Sequence, residues 1–200
     1  MTDEGVDESK RATLRRFAAL GAASPLAGLG SDDSDSNARD AIVGYLAATP
    51  GAHFSKIRDD LKLGTGETQH HLRELDRQGA VESRRDGDYR RFFPADRFDE
   101  FEQTALGYLR RETPRQMLVT LLRNPDASAS EVADAVGVSA PTVSKHAGQL
   151  ETAGLLSRED GYTVEQPETV TLLLVRYADS FGPAAEQLAV GASNLLSYDP

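Results

Sequence analysis

Displaced by 75 positions, residues 42–83 of this chain lie over residues 117–158 without a gap. Identities fall at Leu46 and Leu121, Pro50 and Pro125, Ser55 and Ser130, Asp59 and Asp134, His71 and His146, Leu75 and Leu150, and Gly79 and Gly154. Apolar positions keep the same register, as at Ile57 and Val132, Leu61 and Val136, and Val81 and Leu156. A fixed internal period means that one structural unit occurs twice, so each copy must be small enough to fit in about half the chain. With 200 residues, two compact units are affordable in length, although each core is marginal in size.

The second copy is easier to parse because its helix starts are explicit. Thr113-Pro114-Arg115-Gln116 has the spacing of a capping box with proline at the first helical position. It opens a helix carrying Met117, Leu118, Leu121 and Leu122, ending at Asn124-Pro125. Ser128-Ala129-Ser130-Glu131 is a second capping box, opening a short helix with Val132 and Val136 inward, closed by Gly137. Ser139 caps a third helix that puts Val143, Ala147 and Leu150 on one face and stops at Gly154. Residues 155–157 and 162–164, turning at Asp160-Gly161, predict a small hairpin.

The first copy follows the same order, with helices at 39–48, 54–61 and 65–78 and a hairpin over 81–93 turning at Asp86-Gly87. Helix, helix, tight turn, helix and hairpin describe a winged helix-turn-helix. The expected fold is mainly α with small β-hairpin wings: two tandem winged helix-turn-helix domains plus a C-terminal helix. The expected divisions are an N-terminal arm at 1–37, a first domain at 38–96, a connecting helix at 97–112, a second domain at 113–166 and a C-terminal helical segment at 167–200. Phe98, Phe101, Ala105 and Leu109 lie at helical spacing in the connector. The C-terminal segment carries more apolar residues than one small domain needs, which makes it a candidate dimer seam. Residues 1–9 and 31–37, acidic or rich in Ser and Asp, are expected to be disordered.

Composition narrows the chemistry. The absence of cysteine excludes disulfides, thiolate metal sites and a cysteine nucleophile. No glycine-framed nucleophile, phosphate loop or clustered ligand set occurs, so neither an enzyme, a cofactor nor a bound metal is expected. No stretch reaches the roughly 20 apolar residues that span a bilayer. Arg15-Arg16 before the weakly apolar run 17–30 resembles an export signal, but Phe17 follows the pair directly and a helical arm is the plainer reading. A cytoplasmic location follows.

Residues 130–133, 138–146 and 150–156 resemble the helix-turn-helix signature of ArsR- and MarR-type archaeal and bacterial regulators. His53-Phe54-Ser55-Lys56-Ile57, Gln69-His70-His71-Leu72 and the run 75–80 are similar to tandem winged-helix regulators of haloarchaea. The resemblance spans residues 38–181. It implies a transcriptional regulator that binds double-stranded DNA, with any small-molecule effector unnamed; the C-terminal apolar surplus makes a homodimer, or a pseudo-dimer of the two domains, the expected form. A formal charge of −10 is unusual for such a partner. Lysine is confined to Lys10, Lys56, Lys62 and Lys145, while Arg, Asp and Glu abound, a bias that resembles proteins of salt-loving archaea. In molar salt the Debye length falls to about 3 Å, so local arrangement outweighs net charge.

A recognition helix must offer short polar groups to the major groove and bury its opposite face. In the second copy, Ser139 and Thr142 are assigned to phosphate or base contact, Ser144 to a base edge and Lys145 to phosphate. In the first copy Thr65, Gln69, His70 and Arg73 occupy the outer face, and Gln69 has the geometry to pair bidentately with adenine. Glu67 departs from the pattern and would repel phosphate unless it accepts from a cytosine amine. The first wing carries Arg84, Arg85, Arg90 and Arg91, suited to the backbone or a narrow minor groove. The bland alternative is that these arginines are charges paired with Asp86 and Asp88. His71 and His146, equivalent in both copies, read as structural. A protein-interaction or membrane-tethered scaffold is the alternative from another functional class.

Overall fold

The computed structural model describes residues 3–21 and 33–191. The protein is mainly helical with small antiparallel sheets, and it divides into two compact units at Asp99/Glu100.

In the first unit, α1 (Asp3–Gly21) packs along α2 (Asp33–Ala48). After the short strand β1 (Ala52–His53) come α3 (Phe54–Leu61) and α4 (Thr65–Arg77), then β2 (Val81–Asp86) and β3 (Tyr89–Pro94). The core is built from Ile42, Tyr45 and Leu46 of α2, Ile57 and Leu61 of α3, Leu72 and Leu75 of α4, and Val81 and Phe92 of the sheet. The apolar positions of α3 and α4 recur at helical spacing, which is why both helices close on one side only. The turn of the helix-turn-helix is made by Lys62, whose left-handed φ of 56° ends α3.

The structure departs from two expectations here. Regular structure begins at Asp3 and Asp33, within stretches expected to be disordered, because α1 has its own packing: Leu14 is buried in the unit's core and Phe17 sets its ring edge against Tyr45, centroids 5.3 Å apart. Residues 22–32, most of the weakly apolar run after Arg15-Arg16, lie outside the described residues. The wing is also more than a hairpin. β1 pairs with β3 through Ala52 and Phe92, and His53 and Arg91, giving a three-stranded sheet in the order β1-β3-β2.

The second unit opens with α5 (Glu100–Leu109), followed by α6 (Glu112–Arg123), α7 (Ala129–Val136), α8 (Ala140–Thr152) and a hairpin of β4 (Leu156–Ser157) and β5 (Thr163–Val164). The Ser128–Glu131 capping box forms, with the serine hydroxyl accepting from the Glu131 N–H at 3.3 Å and the carboxylate accepting from the Ser128 N–H at 2.8 Å. Gly137 ends α7 at φ 72°, a conformation that side chains with a Cβ resist. The C-terminal segment forms α9 (Pro167–Arg176), the single turn α10 (Ala178–Phe181) and α11 (Pro183–Gly191), broken at Gly182. Much of its apolar surplus is consumed internally: Val170, Leu173, Leu174, Tyr177, Phe181 and Leu188 are all buried, with α9 packed on α5 and α11 on α6. Leu172 and Val190 remain exposed. No helix among the described residues is long and apolar enough to cross a membrane.

Candidate nucleic-acid interface

α4 turns Thr68, His71, Leu72 and Leu75 inward and leaves Thr65, Gln69, His70 and Arg73 exposed. Its start is organised without a side-chain hydroxyl at the cap. Gly64, extended at φ −69° and ψ 153°, donates its N–H to the Glu67 carboxylate at 3.0 Å, and its carbonyl accepts from the Thr68 hydroxyl at 2.9 Å. Burial pushes the Glu67 carboxyl up, but the Gly64 N–H and the Lys10 ammonium outweigh it and hold the group below its ordinary value. Both Glu67 oxygens lie near Lys10 Nζ, at 3.0 and 3.2 Å. The carboxylate that sequence marks as a source of phosphate repulsion therefore carries a paired charge.

The outward face of α4 and the wing enclose a cleft of about 350 Å³ lined by Phe54, Thr65, Gln69, Leu72, Arg73, Asp76, Arg90 and Phe92. Arg90 closes one side. Its Nε donates to the Ser83 hydroxyl at 2.8 Å, its terminal nitrogen stands 3.4 Å from Asp76, and its guanidinium lies over the Phe92 ring at 5.6 Å.

The four wing arginines do not act as one cluster. Cross-strand partners share a face of a sheet, and the register sets Arg85 against Arg90 and Arg84 against Arg91. Arg85 and Arg90 are exposed and Arg84 is half-buried. Arg91 is a correction to the expected phosphate-gripping set: it is only 3% exposed, its Nε is paired with the Asp86 carboxylate, and its terminal nitrogen donates to the Gly51 carbonyl at 3.0 Å. For this residue the bland alternative holds in a buried form. β1 covers one edge of β3, so a side chain that an isolated hairpin would expose is instead enclosed. Beside it, His53 caps α3 by accepting the Lys56 N–H on Nδ1 at 3.3 Å. Burial, then Arg91 and Lys56, lower the His53 pKa below 6.5, despite nearby Asp59 and Asp60.

In the second unit α8 buries Val143, Ala147 and Leu150 and exposes Ser144 and Lys145. Ser139 and Thr142 stand at its first turn but are engaged with each other: the Ser139 hydroxyl accepts the Thr142 N–H at 3.4 Å and lies 2.8 Å from the Thr142 hydroxyl. Both stand at the helix start, where backbone N–H groups concentrate. The small second wing has Arg158 paired with Glu151 of α8 at 2.8 Å. His71 is buried, whereas His146 is half-buried with Nδ1 3.0 Å from the Gln149 side chain. Among the described residues no group of three or more His, Asp or Glu is placed to hold a metal ion.

Two participants escape notice in sequence: Lys10 and Asp76. Asp76 had a local signal, since it follows Arg73 by one helical turn and so shares its face. Lys10 had none, being 57 residues from Glu67.

Residues 36–106 match the model of a family described as an N-terminal HTH domain, and residues 112–163 match that of the MarR family. A protein of Methanocaldococcus jannaschii named as an uncharacterized HTH-type transcriptional regulator is 27% identical over 121 residues, which take in 60% of this chain and 30% of the relative. The chain thus spans less than a third of that relative's length. No solved structure matches. Both family models are thus of helix-turn-helix or MarR type, and the relative carries the name of a transcriptional regulator.

Proposed function

We propose that the protein is a sequence-specific, duplex-DNA-binding transcriptional regulator of two tandem winged helix-turn-helix domains. The observation that carries this reading is the cleft of the first unit, where the exposed face of α4 with Thr65, Gln69 and Arg73 meets the stacked Arg90 of the wing. A helix with polar groups outward beside a cationic wing matches a duplex: the helix reads base edges in the major groove while the wing follows the adjacent phosphates. His70 of α4 completes the first unit's proposed surface; in the second unit, Ser144 and Lys145 of α8 with the Ser139–Thr142 pair at its start form a proposed surface of their own. Arg85, on the Arg90 side of the sheet, extends that of the first unit along its wing, and Arg84 belongs to the opposite side of the same wing.

The same reading places the protein in the cytoplasm, where the chromosome of a prokaryotic cell lies. It also takes two copies of the chain to bind together, so that paired half-sites mirror the two-fold axis. The test is recovery of DNA bound to the protein in cells at native salt, followed by sequencing, for the unsubstituted chain and for an Arg84/Arg85/Arg90→Ala variant. Discrete sites that weaken in the variant are expected. Lack of enrichment in both chains refutes the proposal and favours a protein-interaction scaffold.

A further inference from the structure

Glu67 serves two opposed demands. As the third residue of α4 its carboxylate holds the Gly64 N–H and steadies the helix start, a role that needs an acceptor there. As an anion on the first turn of the helix proposed to enter the groove, an unpaired Glu67 would add a like charge close to the phosphates, and like charges brought together at an interface are costly. The opposition is resolved by a residue from outside the helix-turn-helix. Lys10 of α1 reaches both carboxylate oxygens, and the two side chains are only 29% and 34% exposed. The preceding residue, Ser9, accepts a hydrogen bond from Lys62 at the turn between α3 and α4, so α1 meets the helix-turn-helix at two adjacent points. Leu14 in the unit's core and Phe17 against Tyr45 hold the rest of α1 in place.

We propose that Lys10 is a positioning residue for DNA binding by the first unit: it neutralises and orients Glu67, so that α1 belongs to the working DNA-binding surface. This rests on the DNA-binding function proposed above. An interaction this local survives moderate salt better than long-range steering does, since its partners are in contact and partly shielded from water.

The test uses the full chain and a fluorescently labelled mixed-sequence duplex, with binding followed by anisotropy over a range of KCl concentrations. Four chains are compared with the unsubstituted protein: Lys10→Ala, Lys10→Arg, Glu67→Gln, and Lys10→Ala combined with Glu67→Gln. Glutamine keeps the capping acceptor while removing the charge, so the helix start is preserved. Lys10→Ala is expected to weaken binding about fivefold, the upper range for a partly exposed charge pair. Lys10→Arg should bind like the unsubstituted chain. Glu67→Gln, which leaves the Lys10 cation uncompensated, should bind at least as tightly, and the double variant should regain the affinity of the unsubstituted chain. Recovery of this kind separates repulsion by an uncovered Glu67 from loss of a direct Lys10–phosphate contact, which Glu67→Gln could not restore. A double variant as weak as Lys10→Ala, or a Lys10→Ala chain that binds normally, overturns the inference alone. No binding by the unsubstituted chain overturns the DNA-binding function and this inference with it.

Discussion

Replacing Arg91 by alanine should damage the first unit's stability far more than its DNA contacts. The side chain is 4% exposed, and its partner Asp86 is 18% exposed. Arg91 ties three elements together: Asp86 in β2, the Gly51 carbonyl just before β1, and its own strand β3. Removing one partner of a buried ion pair typically costs about 3–5 kcal/mol, because the other charge is left desolvated. Asp86 retains some access to water, which lowers the expected loss to about 2–3 kcal/mol. For a unit of this size each kcal/mol shifts the melting temperature by about 4–8 °C, so a fall of about 10–20 °C is expected. Two units need not melt together, so hydrogen exchange at β3 amides should accompany the thermal melt and assign the transition. Arg85→Ala is the control: its side chain is exposed, its stability should change by less than about 0.5 kcal/mol, and its duplex affinity should fall. Replacing both Arg91 and Asp86 by apolar residues of similar volume should recover most of the loss, as buried pairs often allow. If Arg91→Ala melts like the unsubstituted chain yet loses duplex affinity as Arg85→Ala does, the buried assignment is wrong.

Acidification should weaken the first unit through His53. Its folded pKa lies below 6.5, so the unfolded chain takes up a proton first; the stability it contributes is intact above 6.5 and declines as pH falls from there toward the folded value. His53→Asn, which keeps a capping acceptor without a titrating ring, should flatten that pH dependence in denaturant melts. Lys145→Ala should reduce affinity evenly across duplex sequences and lower the slope of log K against log salt by about 1, while Ser144→Ala should alter sequence preference without changing the slope. A Ser144→Ala chain with unchanged preference in a binding-site selection would remove that residue from base readout.

The parts legible in sequence are those set by neighbours three or four positions apart. The starts of α7 and α8 follow from the Ser128 and Ser139 caps, and the end of α7 from Gly137, all of which act within one turn. β1 is illegible for the opposite reason: two residues carry no periodicity, and their pairing with Phe92 and Arg91 spans the whole unit. Once β1 is missed, Arg91 must be misplaced, because in Tyr89-Arg90-Arg91-Phe92-Phe93 no strict alternation shows which arginine faces inward. α1 fails similarly, since its acidic start suggests disorder and its anchor lies 57 residues away on Glu67.

These long-range pairs also answer how a chain of net charge −10 can present a surface to DNA. Carboxylates around the proposed interface are answered by a cation at contact distance: Lys10 on Glu67, Arg91 on Asp86, Arg90 near Asp76 and Arg158 on Glu151. Neutralisation at contact distance operates even where salt has abolished the long-range field. It also leaves few cations available for phosphate, so affinity must lean on polar groups of α4 and α8 and on fit to the groove more than on counterion release. Under that arrangement the acidic composition is no obstacle to the proposed function, because the excess negative charge need only be absent from the proposed surface of each unit. Counting charges along a motif therefore misjudges the surface it forms: of four arginines in the first wing, one lies in the interior and another shares its charge with a neighbouring aspartate.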